Sequence, residues 1–507
     1  MIKHALKARR ATDFAGWYQE LIAEADLAEE SGVRGCMVIK PWGYGIWERI
    51  QTLMDAQIKL AGVDNCYFPL FIPLSYFEKE ADHVDGFAKE MAVVTHHRLI
   101  QKDGKLIPDP EAKLEEPLVV RPTSETVIGA AMSRWIQSWR DLPMLTNQWA
   151  NVVRWEMRTR MFLRTSEFLW QEGHTAHADK ADAMSETLRA LEMYRAFAEG
   201  PLAMPVVAGE KPENERFPGA DATYSIEAMM QDGKALQAGT SHYLGTTFAE
   251  AAGIRYQDKD GNHSLCHTTS WGVSTRLIGG VIMTHGDDDG LRCPPQIAPH
   301  QVVIVPMLRD NDEDEAIFDY CRSLASELRG LSAFGEPLRI LLDTKSIKAS
   351  NKRWAWVKKG APIIVEIGPR DVASGNVAML RRDRLYKDDG KLNSAFIPQG
   401  EFVAEAAALL EEIQTGLFTE AKARLDDNIR RDVTDLASHF KGDDKFVGWV
   451  EVQWARPTGA ALNKIVEQLK ALKITMRNTP MEATPVDGMC FFTGEPAVER
   501  ILIGRTY

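Results

Sequence analysis

A chain of 507 residues, 45% of them hydrophobic and 26% charged, predicts a soluble protein of roughly two to four domains. Its formal net charge of −12 excludes a surface that clings to nucleic acid everywhere, so any such partner must meet local basic patches. Its six cysteines (Cys36, Cys66, Cys266, Cys293, Cys321 and Cys490) lie far apart without a C-x-x-C pair, which excludes a disulfide framework and a standard zinc spacing and fits a reducing, cytoplasmic setting.

The N-terminal MIKHALKARR is basic, but an amphipathic pattern over residues 13 to 30, with Thr12 as a possible cap, follows it in place of a signal-peptide core. No run is long enough to span a bilayer, so no membrane partner is expected. Gly35 to Gly45 reads as a strand entering a turn, and Ile46, Ile50, Leu53, Met54 and Ile58 recur at helical spacing up to a stop at Gly62. Cys66 to Pro73 reads as a short apolar strand. The stretch holding His83 and Phe87 and running to Pro117 reads as an exposed loop or hairpin without a legible function.

LVVRPTSET reads as a strand whose alternation turns Thr123 and Glu125 to one face; the alternative is a helix start, with Thr123 as cap and Glu125 in the first turn. Arg154, Arg158, Arg160 and Arg164 then fall in one short span with apolar residues between them. Guanidinium groups on such a scaffold suit phosphate and carboxylate. An amphipathic helix is expected between Thr175 and Gly200. After it, Gln237, Thr240 and His242 alternate around Gly239, where a small residue admits a ligand close to the backbone. SWGVSTR then leads into an apolar helix with Arg276 at its start.

In order, RPTSET, Arg-Trp-Glu with Phe-Leu-Arg-Thr, WQEGH, LQAGTSH and SWGVSTR resemble the class II aminoacyl-tRNA synthetases, and among them the prolyl-tRNA synthetases of the archaeal and eukaryotic kind. The likeness covers nearly the whole chain, and five ordered motifs are far more specific than any one. It implies an α+β catalytic domain, an antiparallel sheet with helices, over residues 1–297. An α/β anticodon-binding domain would follow over 298–400, and over 401–507 a helix and a small α+β module. The helix and Pro-terminated strand before Pro73 resemble motif 1, which implies a homodimer. The implied reaction is ATP-dependent activation of L-proline, with Mg²⁺ accompanying the nucleotide, and transfer to tRNA(Pro).

By resemblance, Arg154 bridges the proline carboxylate and the α-phosphate, and Glu156, Arg164, Thr165, Gln237, Thr240, Ser274 and Arg276 bind ATP. Arg154 and Arg276 are the implied catalytic pair. Thr123, Glu125 and His242 would hold the secondary amine, while Phe168, Trp170, Glu172, His174 and Phe217 shape the ring pocket. On their own, Trp170 and Phe217 would read as core aromatics, the commoner role. The segment between the arginine-rich span and SWGVSTR has no room for the large editing insertion of bacterial-type enzymes, and the glycine-rich wording of motif 3 in other synthetases is missing.

Beyond Pro299, strands and helices alternate: HQVVIVPM, a helix from Asp312 to Arg329, LRILLDT, a helix from Ser346 to Gly360, then PIIVEIGPRD and NVAMLRRDR. No Walker loop accompanies them. Glu366, Arg370, Arg381 and Arg382 are the candidates for contacting splayed bases and phosphates. Apolar residues from Leu409 to Phe440 at helical spacing predict one long helix or two abutting ones. Many archaeal-type relatives bind zinc through four cysteines in the last domain; from Lys445 to Tyr507 this chain has only Cys490 and no histidine, so no structural zinc is expected. Packing around Val447, Trp449, Val452, Trp454, Ile465, Leu469, Leu472 and Ile474 would hold that module. By resemblance, its ILIGRTY strand would bring Tyr507 toward the catalytic domain.

Overall fold

A computed structural model describes residues 4–78, 90–309, 314–442, 446–482 and 485–507; His83, Phe87, Asp312 and Lys445 lie outside them. The first helix, α1 (Phe14–Glu24), is capped by Asp13, whose carboxylate accepts from the Gly16 amide. It ends earlier than the periodicity suggests, because Asp26 takes a left-handed φ of 59° and Ala28–Glu30 pairs with Met37–Ile39 instead. The next helix, α2 (Pro41–Leu60), begins earlier than Ile46: Pro41 sits in its first turn, where its fixed φ suits a helix. A Cβ on Gly43 would meet the Leu27 carbonyl at 2.3 Å, so glycine there lets the helix press on the preceding backbone. Of Cys66 to Pro73, only Phe71–Pro73 is a strand.

The site is built on an eight-stranded sheet. Its strands in chain order are β1 (Asp64–Asn65), β2 (Met144–Val153), β3 (Glu167–His177), β4 (Val206–Glu210), β5 (Ala222–Met229), β6 (Ala235–Gly245) and β7 (His267–Ser274), and the eighth is Thr479–Pro480 from near the end of the chain. The order across the sheet is Thr479–Pro480, β4, β5, β6, β7, β3, β2, β1. All pairings are antiparallel except β1 with β2. Alternation along the strands sorts the side chains. Tyr224, Ile226, Trp271 and Val273 join the buried core with α1, α2 and the helices Lys180–Glu199 and Arg276–His285. The residues between them face the other way, and that face carries the site. Gly173 is required on the core face, where a Cβ would stand 2.2 Å from the Trp271 ring.

The following domain is a five-stranded sheet, with Val302–Pro306 parallel to both Ile340–Leu342 and Ile363–Ile367, and with Asn376–Arg381 and Ser394–Pro398 added antiparallel. Helix Gln399–Asp427 packs its Phe402, Ala406, Leu410, Ile413 and Leu417 into this domain's core. It stops at Asn428, and Ile429–Arg430 is extended against Trp449 and Val450, so the apolar spacing that continues to Phe440 is not one helix. The last module places Val452, Trp454, Ile465, Leu469 and Ile474 in a small core of its own, with Val447 and Leu472 packed against it. Trp449 packs instead with Met229, Ala235 and Leu502 at the boundary with the catalytic sheet.

Candidate active site

The face of the sheet opposite the helices opens into a cavity of about 540 Å³. All sixteen residues expected for proline and ATP line it: Thr123, Glu125, Arg154, Glu156, Arg164, Thr165, Phe168, Trp170, Glu172, His174, Phe217, Gln237, Thr240, His242, Ser274 and Arg276. Strand β3 supplies Phe168, Trp170, Glu172 and His174 at every second position. Strand β7, paired with it in register, sets Ser274 opposite Trp170 and Ser270 opposite His174. Thr123 and Glu125 are not two positions of a strand. Strand Lys113–Val120 ends before them and Glu125 opens helix Glu125–Trp135, with Thr123 donating its hydroxyl proton to the Glu125 carboxylate.

Arg154 marks the middle of the cavity. It follows the last residue of β2, and its Nε donates to the Pro122 carbonyl at 2.8 Å. The guanidinium lies 5.6 Å from the ring centres of both Phe168 and Trp170, which hold it by cation–π attraction. Burial lowers its pKa, opposed by Glu125, Glu172 and Glu90. The span after Arg154 is the loop between two antiparallel strands, closed by reciprocal backbone bonds between Arg160 and Arg164 at 2.7 and 2.8 Å. Arg276, at the start of its helix, donates to the carbonyls of Leu163 and Gln237 at 3.2 and 3.5 Å. Burial, reinforced by Arg154 and Arg164, pulls its pKa down to about 10. With Arg154 and Arg164 near enough to lower Arg276, this group of guanidinium side chains suits an anion of several charges.

The other half of the cavity is acidic and aromatic. Glu172 accepts from Ser124, from Gln148 and, at 2.9 Å, from His174 Nε2. Sequence reasoning missed Ser124 and Gln148; both are buried, Gln148 lies opposite Glu172 in the strand ladder, and Ser124 reaches it from the cap of helix Glu125–Trp135. Thr223, also missed, bonds His242 Nδ1 at 3.0 Å, and the alternation of Thr223, Ser225 and Glu227 in ATYSIE is the signal that could have shown it. The Phe217 ring stands 4.8 Å from that of His242. Burial pushes His242 down to about 4, despite Glu125 nearby, so it is a neutral imidazole at physiological pH.

His174 behaves oppositely: burial disfavours its charge, but the bond to Glu172 and the fields of Glu172 and Glu125 prevail and raise its pKa. A histidine whose pKa is higher folded than unfolded adds stability below the unfolded value of about 6.5 and loses it as pH rises through the folded value. The gap in unfolding free energy between the protein and its His174→Gln variant should therefore shrink as pH rises above about 6.5 in urea titrations. A gap that widens would contradict a raised His174 pKa.

The base-contact candidates do not come together. Glu366, near the end of its strand, pairs with Arg353 at 2.9 Å, and exposed Arg370 opens the next short helix. Arg381 lies opposite Ile363, at the other end of the same ladder, and is held by Asp383 and Glu412. Arg382 is buried against Asp287 and the Val357 carbonyl, tying this domain to the catalytic one. The antiparallel return of Asn376–Arg381 is the reason: it carries the later arginines away from the end where Glu366 sits.

Among the described residues, no group of three or more His, Cys, Asp or Glu stands close enough to hold a metal ion, and no helix is long and apolar enough to cross a membrane. Residues 109–285 match the tRNA synthetase class II core domain (G, H, P, S and T), and residues 301–396 match an anticodon binding domain. The chain is 81% identical over 508 residues to a proline–tRNA ligase of Sphingopyxis alaskensis, covering all of this chain and 96% of that one. It is 74% identical to that of Novosphingobium aromaticivorans, covering 100% and 99%. A crystal structure of prolyl-tRNA synthetase from Cryptosporidium parvum complexed with L-proline and AMP superposes with a TM-score of 0.87 at 34% identity, covering 99% of this chain and 97% of that one. A second from the same organism, complexed with halofuginone and AMPPNP, gives 0.88 at 35% identity, with the same shares covered. With full-length identities of this size and a class II core carrying the cavity, the chain belongs to the proline–tRNA ligase family.

Proposed function

We propose that the protein activates L-proline with ATP to prolyl-adenylate and transfers the prolyl group to the 3′ end of tRNA(Pro). The observation that carries this reading is the polarity of the cavity: Glu125 and Glu172 cluster with His174, His242 and Phe217, Arg164 and Arg276 cluster apart from them, and Arg154 lies within the field of both groups. A zwitterionic amino acid fits across that division, with its ammonium toward Glu125 and its carboxylate toward Arg154. The carboxylate is already ionised, so its attack on the α-phosphorus needs placement and charge neutralisation, not a general base. Thr123, Glu125 and neutral His242 hold the amine, and Phe168, Trp170, Glu172, His174 and Phe217 bound the ring. Glu156, Arg164, Thr165, Gln237, Thr240 and Ser274 bind the nucleotide, and Arg276 neutralises its distal phosphates as pyrophosphate leaves. Mg²⁺ fits as an ion carried by those phosphates, which retains its waters and needs few protein ligands.

The finer features of this reading have separate supports. The likeness to the Cryptosporidium parvum structures over 99% of the chain favours the archaeal and eukaryotic-like type, although the relatives named above are bacterial. Leu60 and Tyr67, 89% and 72% exposed at the end of α2 and just beyond β1, favour a homodimer that covers them. The domains are assigned as 1–297, 298–400 and 401–507, except that helix Gln399–Asp427 shares the core of the middle domain and so belongs with it. Base contacts are assigned to the end bearing Glu366 and Arg370, and the free cysteines suit a cytoplasmic enzyme.

The end of the chain belongs to this reading too. The Ala235 amide donates to the Arg505 carbonyl at 2.7 Å, the Tyr507 ring lies 5.8 Å from the Arg160 guanidinium, and Arg164 Nη2 reaches the Tyr507 main-chain oxygen at 3.2 Å. Tyr507→Ala should raise KM for ATP by about three- to tenfold through a looser Arg164 loop; an unchanged KM would detach Tyr507 from the site. The reaction itself is tested by incubating the protein with labelled proline, ATP and a tRNA(Pro) transcript. Labelled prolyl-tRNA is expected, and its absence alongside intact transcript binding would favour a tRNA-binding or regulatory protein without catalysis.

A further inference from the structure

The last module does more than pack beside the catalytic sheet. Thr475 and Met476 pair within its own sheet, opposite Gly504 and Ile503, and three residues on Thr479 and Pro480 pair with β4. Arg477 lies at the crossing from one sheet to the other. Its main chain is fixed by a 2.7 Å bond to the Leu502 carbonyl, and its Nε and Nη2 both reach Glu227 Oε2, at 3.1 and 2.8 Å. Glu227 is fully buried on β5, where Lys211 Nζ at 3.2 Å and Ser225 Oγ at 2.9 Å complete its partners. Burial would push this carboxyl up, but Lys211 and Arg477 hold it down at about 2.

Two buried cations around one carboxylate are a costly way to join two modules, since well-packed apolar residues serve stability at least as well. The placement gives the cluster another purpose. Glu227 alternates with Thr223 and Ser225 on the face that carries the cavity, and lies opposite Gln237 at the register shift between β5 and β6. Gln237 lines the cavity, and its carbonyl accepts from Arg276.

We propose that Arg477 is a positioning residue for the nucleotide half of the site: its two-pronged grip on Glu227 fixes the irregular step of β5 and β6 that presents Gln237 and Arg276. This rests on the reading of the cavity as an ATP and proline site, and the same assay tests the two separately. In pyrophosphate exchange, proline-dependent activity of the unmodified protein establishes that reading, and its absence overturns the reading and not the grip.

Arg477→Lys keeps the charge, and so the neutralisation of Glu227, but loses the fork. It should raise KM for ATP by about tenfold while KM for proline changes by less than about threefold. Glu227→Gln should show the same split, and the double variant should be little worse than either single one, as expected of residues acting as a unit. Kinetics of Arg477→Lys equal to those of the unmodified protein would overturn the proposal. So would a parallel rise in both KM values, or a loss of rate that merely follows the folded fraction in a thermal melt.

Discussion

Arg154→Ala is expected to lower kcat/KM for proline-dependent pyrophosphate exchange by about 10²–10³-fold, the loss typical of removing one preorganised donor to a developing charge. The side chain is fixed before any substrate arrives, by the Pro122 carbonyl and by Phe168 and Trp170, so no reorganisation is needed when charge builds up between carboxylate and phosphate. Most of the loss should appear in kcat, because the interaction strengthens as the new bond forms. Arg154→Lys should recover little: a point charge cannot span two oxygens of different groups as a planar fork does. Steady-state kinetics on variants whose melting curves match the parent would check this, and a change confined to KM would move Arg154 from the reaction to ground-state binding.

Glu125→Gln is expected to weaken proline binding by about 1.5–3 kcal/mol, or about 10- to 150-fold, the worth of a hydrogen bond to a charged group. Its partner Thr123 is buried in the turn between strand Lys113–Val120 and helix Glu125–Trp135, which holds the carboxylate near His242. Removing the charge leaves a secondary ammonium without its counterion, while ATP contacts stay intact. Calorimetric titration with proline and, separately, with a non-hydrolysable ATP analogue measures the two arms. Equal losses in both would mean that Glu125 supports the whole site and not the amine.

The sequence discloses most where chemistry is compressed into a few residues. Arg154 and Arg164 flank one loop, Glu172 and His174 are two apart on one strand, and Arg276 starts a helix; each position is visible from spacing within a few residues. What stays hidden depends on partners distant in the chain. Arg381 looks equivalent to Arg370 in sequence, but an antiparallel return puts it at the opposite end of the ladder. Ser124 and Gln148 have no local signature, because Glu172 reaches Gln148 only once β2 and β3 are in register and reaches Ser124 only once helix Glu125–Trp135 docks beside β3. The pairing of Thr479–Pro480 with β4 joins positions 270 residues apart, a contact no local periodicity encodes. Thr123 and Glu125 fit two local patterns, of which spacing alone favours the helix start, and the helix does open at Glu125, with Ser124 and not Thr123 at its cap.

The claim on which the rest depends is that the cavity selects proline. On this reading a ring pocket would reject larger side chains by overlap but not strongly reject smaller ones, since a missing methylene is worth only about 1–3 kcal/mol. Pyrophosphate exchange measured with each of the twenty amino acids at equal concentration tests this most directly. The fastest exchange should be with proline, with alanine the leading minor substrate; a higher rate with threonine, or with any other amino acid, would contradict the account.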